Sequence, residues 1–240
     1  MEFRHPAFTD LRTPELLEEH ARRSKAIIRR IRERREFSQY DTFNKRFKLN
    51  LGMQIDYVHE MTGVTRAETQ LVYKYMLKIS DLWGAFEHLC QTCHEQEVIR
   101  TLSQSKTNLY DEAQQRELGF DRAVAAFNQV LQEELYPNKR YKVEMYRVLA
   151  YLKNNTKGGT QKEIGRIHES VKAYAPLSFQ QVNALAYALR NLYVHKGVAA
   201  SLGTKSMTFK VLLYSMLYEY LVVCCYRLGV GYCGGCGEEE

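Results

Sequence analysis

The longest apolar run in the chain, Val211 to Cys225, constrains the fold more than any other stretch. Set on a helix of 3.6 residues per turn, the segment from Met207 to about Leu228 puts Phe209, Leu212, Leu213, Met216, Leu217, Tyr220, Leu221 and Val223 on most sides of the cylinder. A helix that lacks a polar face belongs inside a protein or a membrane. This run contains Glu219, is flanked by Lys210 and Arg227, and falls short of the roughly 20 apolar residues that a bilayer core requires. It therefore predicts a central bundle helix around which other helices pack.

The rest of the chain supplies them. Thr13-Pro14 with Glu15, Glu18 and Glu19 marks the start of a helix reaching about Phe37, with Leu17, Ala21, Ser24, Ile28 and Ile31 as its inner stripe. Phe37, Tyr40, Phe43 and Phe47 follow at helical spacing among Lys45, Arg46 and Lys48. They read as core in preference to a platform for stacked bases. Gly52 and Gly63 bracket a short amphipathic piece with Ile55, Val58 and Met61, and Thr65 with Glu68 forms a capping box for a long helix to about Val98. Residues 102–119 are polar and read as a loop or weak helix. Helical spacing returns over Phe120–Tyr136, Tyr141–Leu152 and Gln161–Tyr174, broken by Pro137-Asn138 and by a turn at Asn154–Gly159. A phosphate-cradling role for the Gly158-Gly159 pair is not supported, because neither a strand nor P-loop spacing accompanies it. No strand-like alternation or internal repeat is visible, so the fold class is all-α, a helical bundle. Its expected organisation is a basic helical extension over 1–63, a bundle over 64–230 and a flexible Cys/Gly/Glu tail over 231–240.

Charge is unevenly placed. Of a formal net charge of +6, most arises in residues 1–50, where 13 Lys plus Arg face 8 Asp plus Glu. Arg29, Arg30, Arg32, Arg34 and Arg35 crowd one helix and are candidate RNA-backbone contacts, although a solvated helix face without a partner reads the same way.

Residues 178–200 carry the clearest chemistry. Ser178 suits an N-cap, Gly197 a helix stop, and Val182, Leu185, Ala186, Leu189 and Tyr193 form an inward stripe. Off that stripe, Asn191 and His195 share nearly one face, and Arg190 is long enough to lean toward Asn191. An imidazole for proton transfer, a guanidinium fork for phosphate and an orienting amide fit the cleavage of RNA without a metal. A histidine at a helix C-terminus is also favoured simply by the macrodipole.

The segment Arg190-Asn191-Leu192-Tyr193-Val194-His195 resembles the Arg-x4–6-His signature, with a polar residue after the arginine, of the HEPN superfamily (higher eukaryotes and prokaryotes nucleotide-binding domains). That resemblance implies an all-helical, usually dimeric endoribonuclease, with Arg190, Asn191 and His195 brought together with their copies across a homodimer cleft through the motif helix. Lys196 joins them as an RNA contact. The segment from Leu82 to Leu89 is similar to the early helix of the family, whose acidic residue faces the motif, and this makes Glu87 the fourth catalytic candidate. No metal or cofactor is needed by such a scheme. The resemblance also implies a role in toxin–antitoxin or antiviral defence, with a companion protein as antitoxin or activator. The competing expectation is a catalytically silent bundle that binds nucleic acid or protein through its basic first helix.

The remaining motifs point elsewhere less well. Cys90-Gln91-Thr92-Cys93-His94 matches the c-type haem attachment pattern, but it lies inside a continuous helix, and Met1–Asp10 is too polar for an export signal. Cys233 and Cys236 are too far from that pair for a usual zinc site, and Cys224 and Cys225 read as small hydrophobes. Unpaired thiols suit the reducing cytoplasm, which is the expected location, without membrane association.

Overall fold

The structure is a computed structural model that describes residues 5–9, 11–34, 38–55, 67–95, 112–196 and 202–235. Among them the regular structure is all helix, with no strand: α1 Pro6–Thr9, α2 Pro14–Arg34, α3 Ser38–Gly52, α4 Ala67–Glu95, α5 Glu112–Glu117, α6 Phe120–Val130, α7 Lys139–Asn155, α8 Gly158–Lys172, α9 Phe179–Lys196 and α10 Met207–Gly235. A π-helical turn, Leu131–Leu135, prolongs α6.

Helix α10 is the hub, lying along α4 and also touching α2 and α6. Although the run Val211–Cys225 is by itself too short for a bilayer, the helix over Met207–Gly231 is long and apolar enough to cross a membrane; 89% of its most apolar window is buried by the rest of the chain, so that surface is used in packing. Two of its charges are matched, whereas the Nε of the third, Arg227, is buried without a hydrogen-bond partner. Glu219, 2% exposed, receives Arg12 Nη1 from the loop before α2 at 2.9 Å. Lys210 is buried near Glu144 of α7; burial lowers its pKa and the Glu144 charge opposes that shift. The continuation of α10 to Gly235 carries helix into the stretch expected as tail.

Local signals explain the helix starts. Thr13 Oγ1 accepts from Leu16 N at the head of α2, and Asn138 Oδ1 accepts from Arg140 N and Tyr141 N at the head of α7. Tyr40, Phe43 and Phe47 of α3 are fully buried, as core spacing predicts, and Phe43 stacks on Phe47 at 5.6 Å. Phe37, Val58, Met61, Gly63 and Thr65 lie outside the described residues.

Two expectations are corrected. The inner face of α2 is Leu16, His20, Ser24 and Ile27, with Ala21 exposed, so the stripe is turned by about one residue. The cause is His20, a polar residue that nevertheless packs edge-on against Phe47 and Tyr226 at 5.7 and 5.1 Å. Ser24 follows it inward by bonding the Tyr40 hydroxyl at 2.8 Å. The second correction concerns 154–159: only Thr156 and Lys157 separate α7 from α8, because Asn155 and Thr156 fold their side chains back onto Tyr151 O and Leu152 O.

Candidate functional site

Helix α9 is fixed at both its entry and its flank. Ser178 Oγ accepts from Gln181 N while Gln181 Oε1 accepts from Ser178 N, a reciprocal cap. Just before it, Asn128 of α6 holds both backbone groups of Leu177, donating to its O at 2.8 Å and accepting from its N at 2.6 Å. Farther along, Asn183 is buried and accepts from the Tyr220 hydroxyl of α10 at 2.9 Å. The predicted stripe of Val182, Leu185, Ala186 and Leu189 is buried, with Tyr193 partly so.

At the far end of α9, Asn191 and His195 line one groove of about 260 Å³. Tyr187, Ala188 and Leu192 of the same helix form one wall. Asn155, Thr156, Lys157 and Thr160, from the α7–α8 junction, complete it. Among the described residues no carboxylate lines this groove; the polar groups on it are amides, hydroxyls, one ammonium and one imidazole. His195 is exposed and Asn191 half-buried.

Arg190 behaves differently. Its Nη1 donates to Asn191 Oδ1 at 2.8 Å, so the lean toward Asn191 expected from side-chain length is present. That bond uses the amide oxygen and leaves Asn191 Nδ2 as the group able to donate to a ligand. The shaft of Arg190, however, runs between α4 and α10. There Arg190, Ser80 and Tyr214 line one cavity too narrow for a water, and Arg190 Nε, Ser80 Oγ and Tyr214 Oη are each buried without a hydrogen-bond partner. Burial also raises the Tyr214 pKa, so the phenol stays neutral. Arg190 thus touches Asn191 through Nη1 and keeps its Nε in the interior, and it is not one of the residues that line the groove.

Glu87 does not join this group. Trp83 of α4 packs on Tyr187 of α9 at 5.8 Å between ring centroids, and Met76 and Ser80 lie beside Leu189 and Tyr193, so the two helices run antiparallel. Glu87 is one turn beyond Trp83 in one direction, and His195 is two turns beyond Tyr187 in the other. At 1.5 Å per residue they are roughly 18 Å apart along the axis.

Of the basic candidates, Arg29 is exposed on α2. Arg30, Arg32 and Arg34 belong to the same helix by backbone alone, Arg35 lies outside the described residues, and Lys196 ends α9. Among the described residues, no cluster of three His, Cys, Asp or Glu side chains is placed to hold a metal. Cys90 is buried within α4, and Cys224 and Cys225 are buried in α10; burial raises the pKa of both α10 thiols.

Lys157 and Thr160 are groove residues that sequence reasoning passed over, as are Asn155 and Thr156. The signal available was weak: a polar junction between two helices, with no spacing rule linking it to residues 35 positions away. Comparisons with protein-family models, with curated proteins and with solved structures give no significant match.

Proposed function

We propose that the chain is a HEPN-type endoribonuclease that cleaves RNA by attack of a 2′-hydroxyl on the neighbouring phosphate. The observation that carries this reading is the groove shared by Asn191 and His195, lined by no carboxylate among the described residues, with Arg190 bonded to the Asn191 amide from outside the lining. A polyanion can enter such a groove without meeting like charge. His195, exposed at the groove, takes the 2′-hydroxyl proton, and O2′ bonds to phosphorus as the bond to the 5′-oxygen breaks. The departing oxygen takes a proton from the second His195 of a homodimer. The products carry a 2′,3′-cyclic phosphate and a 5′-hydroxyl. Arg190 stabilises charge on the phosphoryl oxygens, and Asn191 Nδ2 orients the phosphate. Val194, 49% exposed beside His195, is an apolar contact for the second copy. The role in defence, with an antitoxin or activating companion, belongs to the same proposal.

One observation favours the silent-bundle reading instead: Arg190 Nε is buried toward α4 and α10, as a structural arginine would be. Labelled single-stranded RNA incubated in chelator with wild-type, His195→Ala and Arg190→Ala proteins of matched folding separates the two. Cleavage by wild type that both variants lose supports the nuclease, and binding without cleavage by any of the three supports the bundle.

A further inference from the structure

We infer that Lys157 and Thr160 form a subsite for an RNA backbone phosphate flanking the scissile one, supplied by the same chain that supplies His195. The inference rests on the nuclease reading only for which phosphate is attacked; the binding of RNA in the groove is claimed independently.

The sequence places these residues at a helix junction without evident chemistry, and the fold brings that junction to the end of α9. Lys157, Thr160, Asn191 and His195 then border one cavity. Of the cations of α7, α8 and their junction, Lys157 is one that borders the groove. Arg147 of α7 and Arg166 of α8 are each tied to a buried glutamate, Glu144 at 2.9 Å and Glu163 at 2.5 Å. Among the described residues no carboxylate lines the groove that Lys157 borders, so its charge is available to a ligand. A lysine acts on phosphate as a point charge and needs no fixed fork, which suits an exposed position at a junction. The Thr160 hydroxyl adds a donor, and the Thr156 hydroxyl is already committed to Leu152 O at 2.8 Å.

Size and walls narrow the ligand class. About 260 Å³ lies just below the roughly 300–1,000 Å³ of pockets that enclose a drug-sized molecule, so the groove admits a segment of extended chain and not a folded cofactor. Its wall of Tyr187, Ala188 and Leu192 is mainly apolar, offering the ribose face or an unpaired base a surface, while the opposite lip is polar. An open single strand presents this alternation along its backbone, whereas a duplex hides its base faces.

The test uses a mixed-sequence 2′-O-methyl RNA 12-mer, which lacks the attacking hydroxyl, and measures binding by the full chain at several salt concentrations. Lys157→Ala and Thr160→Ala are compared with Lys139→Ala, a lysine at the far end of α7. The expected result is binding weakened about tenfold by Lys157→Ala and less by Thr160→Ala, with Lys139→Ala unchanged. The slope of log affinity against log salt should fall by about 0.7 for Lys157→Ala, one phosphate contact on a single strand. Affinity and slope left unchanged by Lys157→Ala, or no binding of the 12-mer by wild type, overturns the subsite. If wild type binds through Lys157 yet cleaves no 2′-hydroxyl RNA, the subsite stands and the nuclease reading falls. If it cleaves with a KM that Lys157→Ala does not raise, the nuclease stands and the subsite falls.

Discussion

Replacing Gly229 by alanine should show how tightly α2 is packed on α10. A Cβ at this position would stand 2.9 Å from both Cδ2 and Nε2 of His20 and 3.6 Å from Phe43 Cε1. The His20 ring must then withdraw by several tenths of an ångström, but Phe47 and Tyr226 hold it edge-on from two sides. Forcing one extra carbon into a filled core costs about 1–3 kcal/mol, and exchanging glycine for alanine inside a helix returns about 1 kcal/mol. Gly229→Ala alone is therefore expected to destabilise by about 1 kcal/mol. In a His20→Ala background the obstructing ring is gone, and the same change should stabilise by about 1 kcal/mol, a coupling of about 2 kcal/mol. Urea denaturation of the four proteins measures all terms at once. Equal effects of Gly229→Ala in the two backgrounds would refute the packing argument.

His20 also predicts an acid sensitivity. Burial, with the Lys48 charge adding, pushes its pKa down to about 4, so the unfolded chain binds the extra proton between that value and the ordinary 6.5. Stability is then complete above pH 6.5 and falls progressively toward pH 4, by about 3 kcal/mol in all; urea midpoints at pH 7 and pH 5 should differ less for His20→Ala than for wild type. Asn128→Ala removes both clamps on Leu177 and should cost about 1–3 kcal/mol, read as a lower melting temperature. Gly203 has φ +70° and its Cβ position lies 3.1 Å from Arg147 O, so Gly203→Ala should destabilise by about 1–3 kcal/mol. Gly203→Asn, which tolerates that backbone angle better but carries the same Cβ, should recover only part of the loss in the same melting assay.

Much of the bundle was legible because its signals are local. Ser178, Thr13 and the Pro137-Asn138 break mark helix starts through bonds made within three residues. The run in α10 leaves no face for water. His20 defeated the stripe on α2 because imidazole polarity says nothing about whether aromatic rings will surround it neutral. The site was legible in part. Asn191 and His195, four residues apart on one helix, meet the same groove as helical geometry requires. Glu87 depended on the register between α4 and α9, which bulky packing such as Trp83 on Tyr187 decides, and no pattern along one helix reports that offset. Lys157 and Thr160 reach the groove through the α7–α8 hairpin, a relation that exists only in three dimensions.

The widened turn at Leu131–Leu135 stores one residue without turning the chain that follows it. Tyr136 N reaches back five residues to Leu131 O, and the Tyr136 hydroxyl then latches Ala175 O at 2.7 Å, shortly before Ser178 opens α9. Excising one of the exposed residues 132–134 would restore ordinary winding, with Tyr136 N four residues from Leu131 O at nearly the same bearing, so the latch is kept. The delivery of α9 should therefore survive the loss of a residue at this point, where the same deletion in the middle of α6 would turn every later side chain by about 100°.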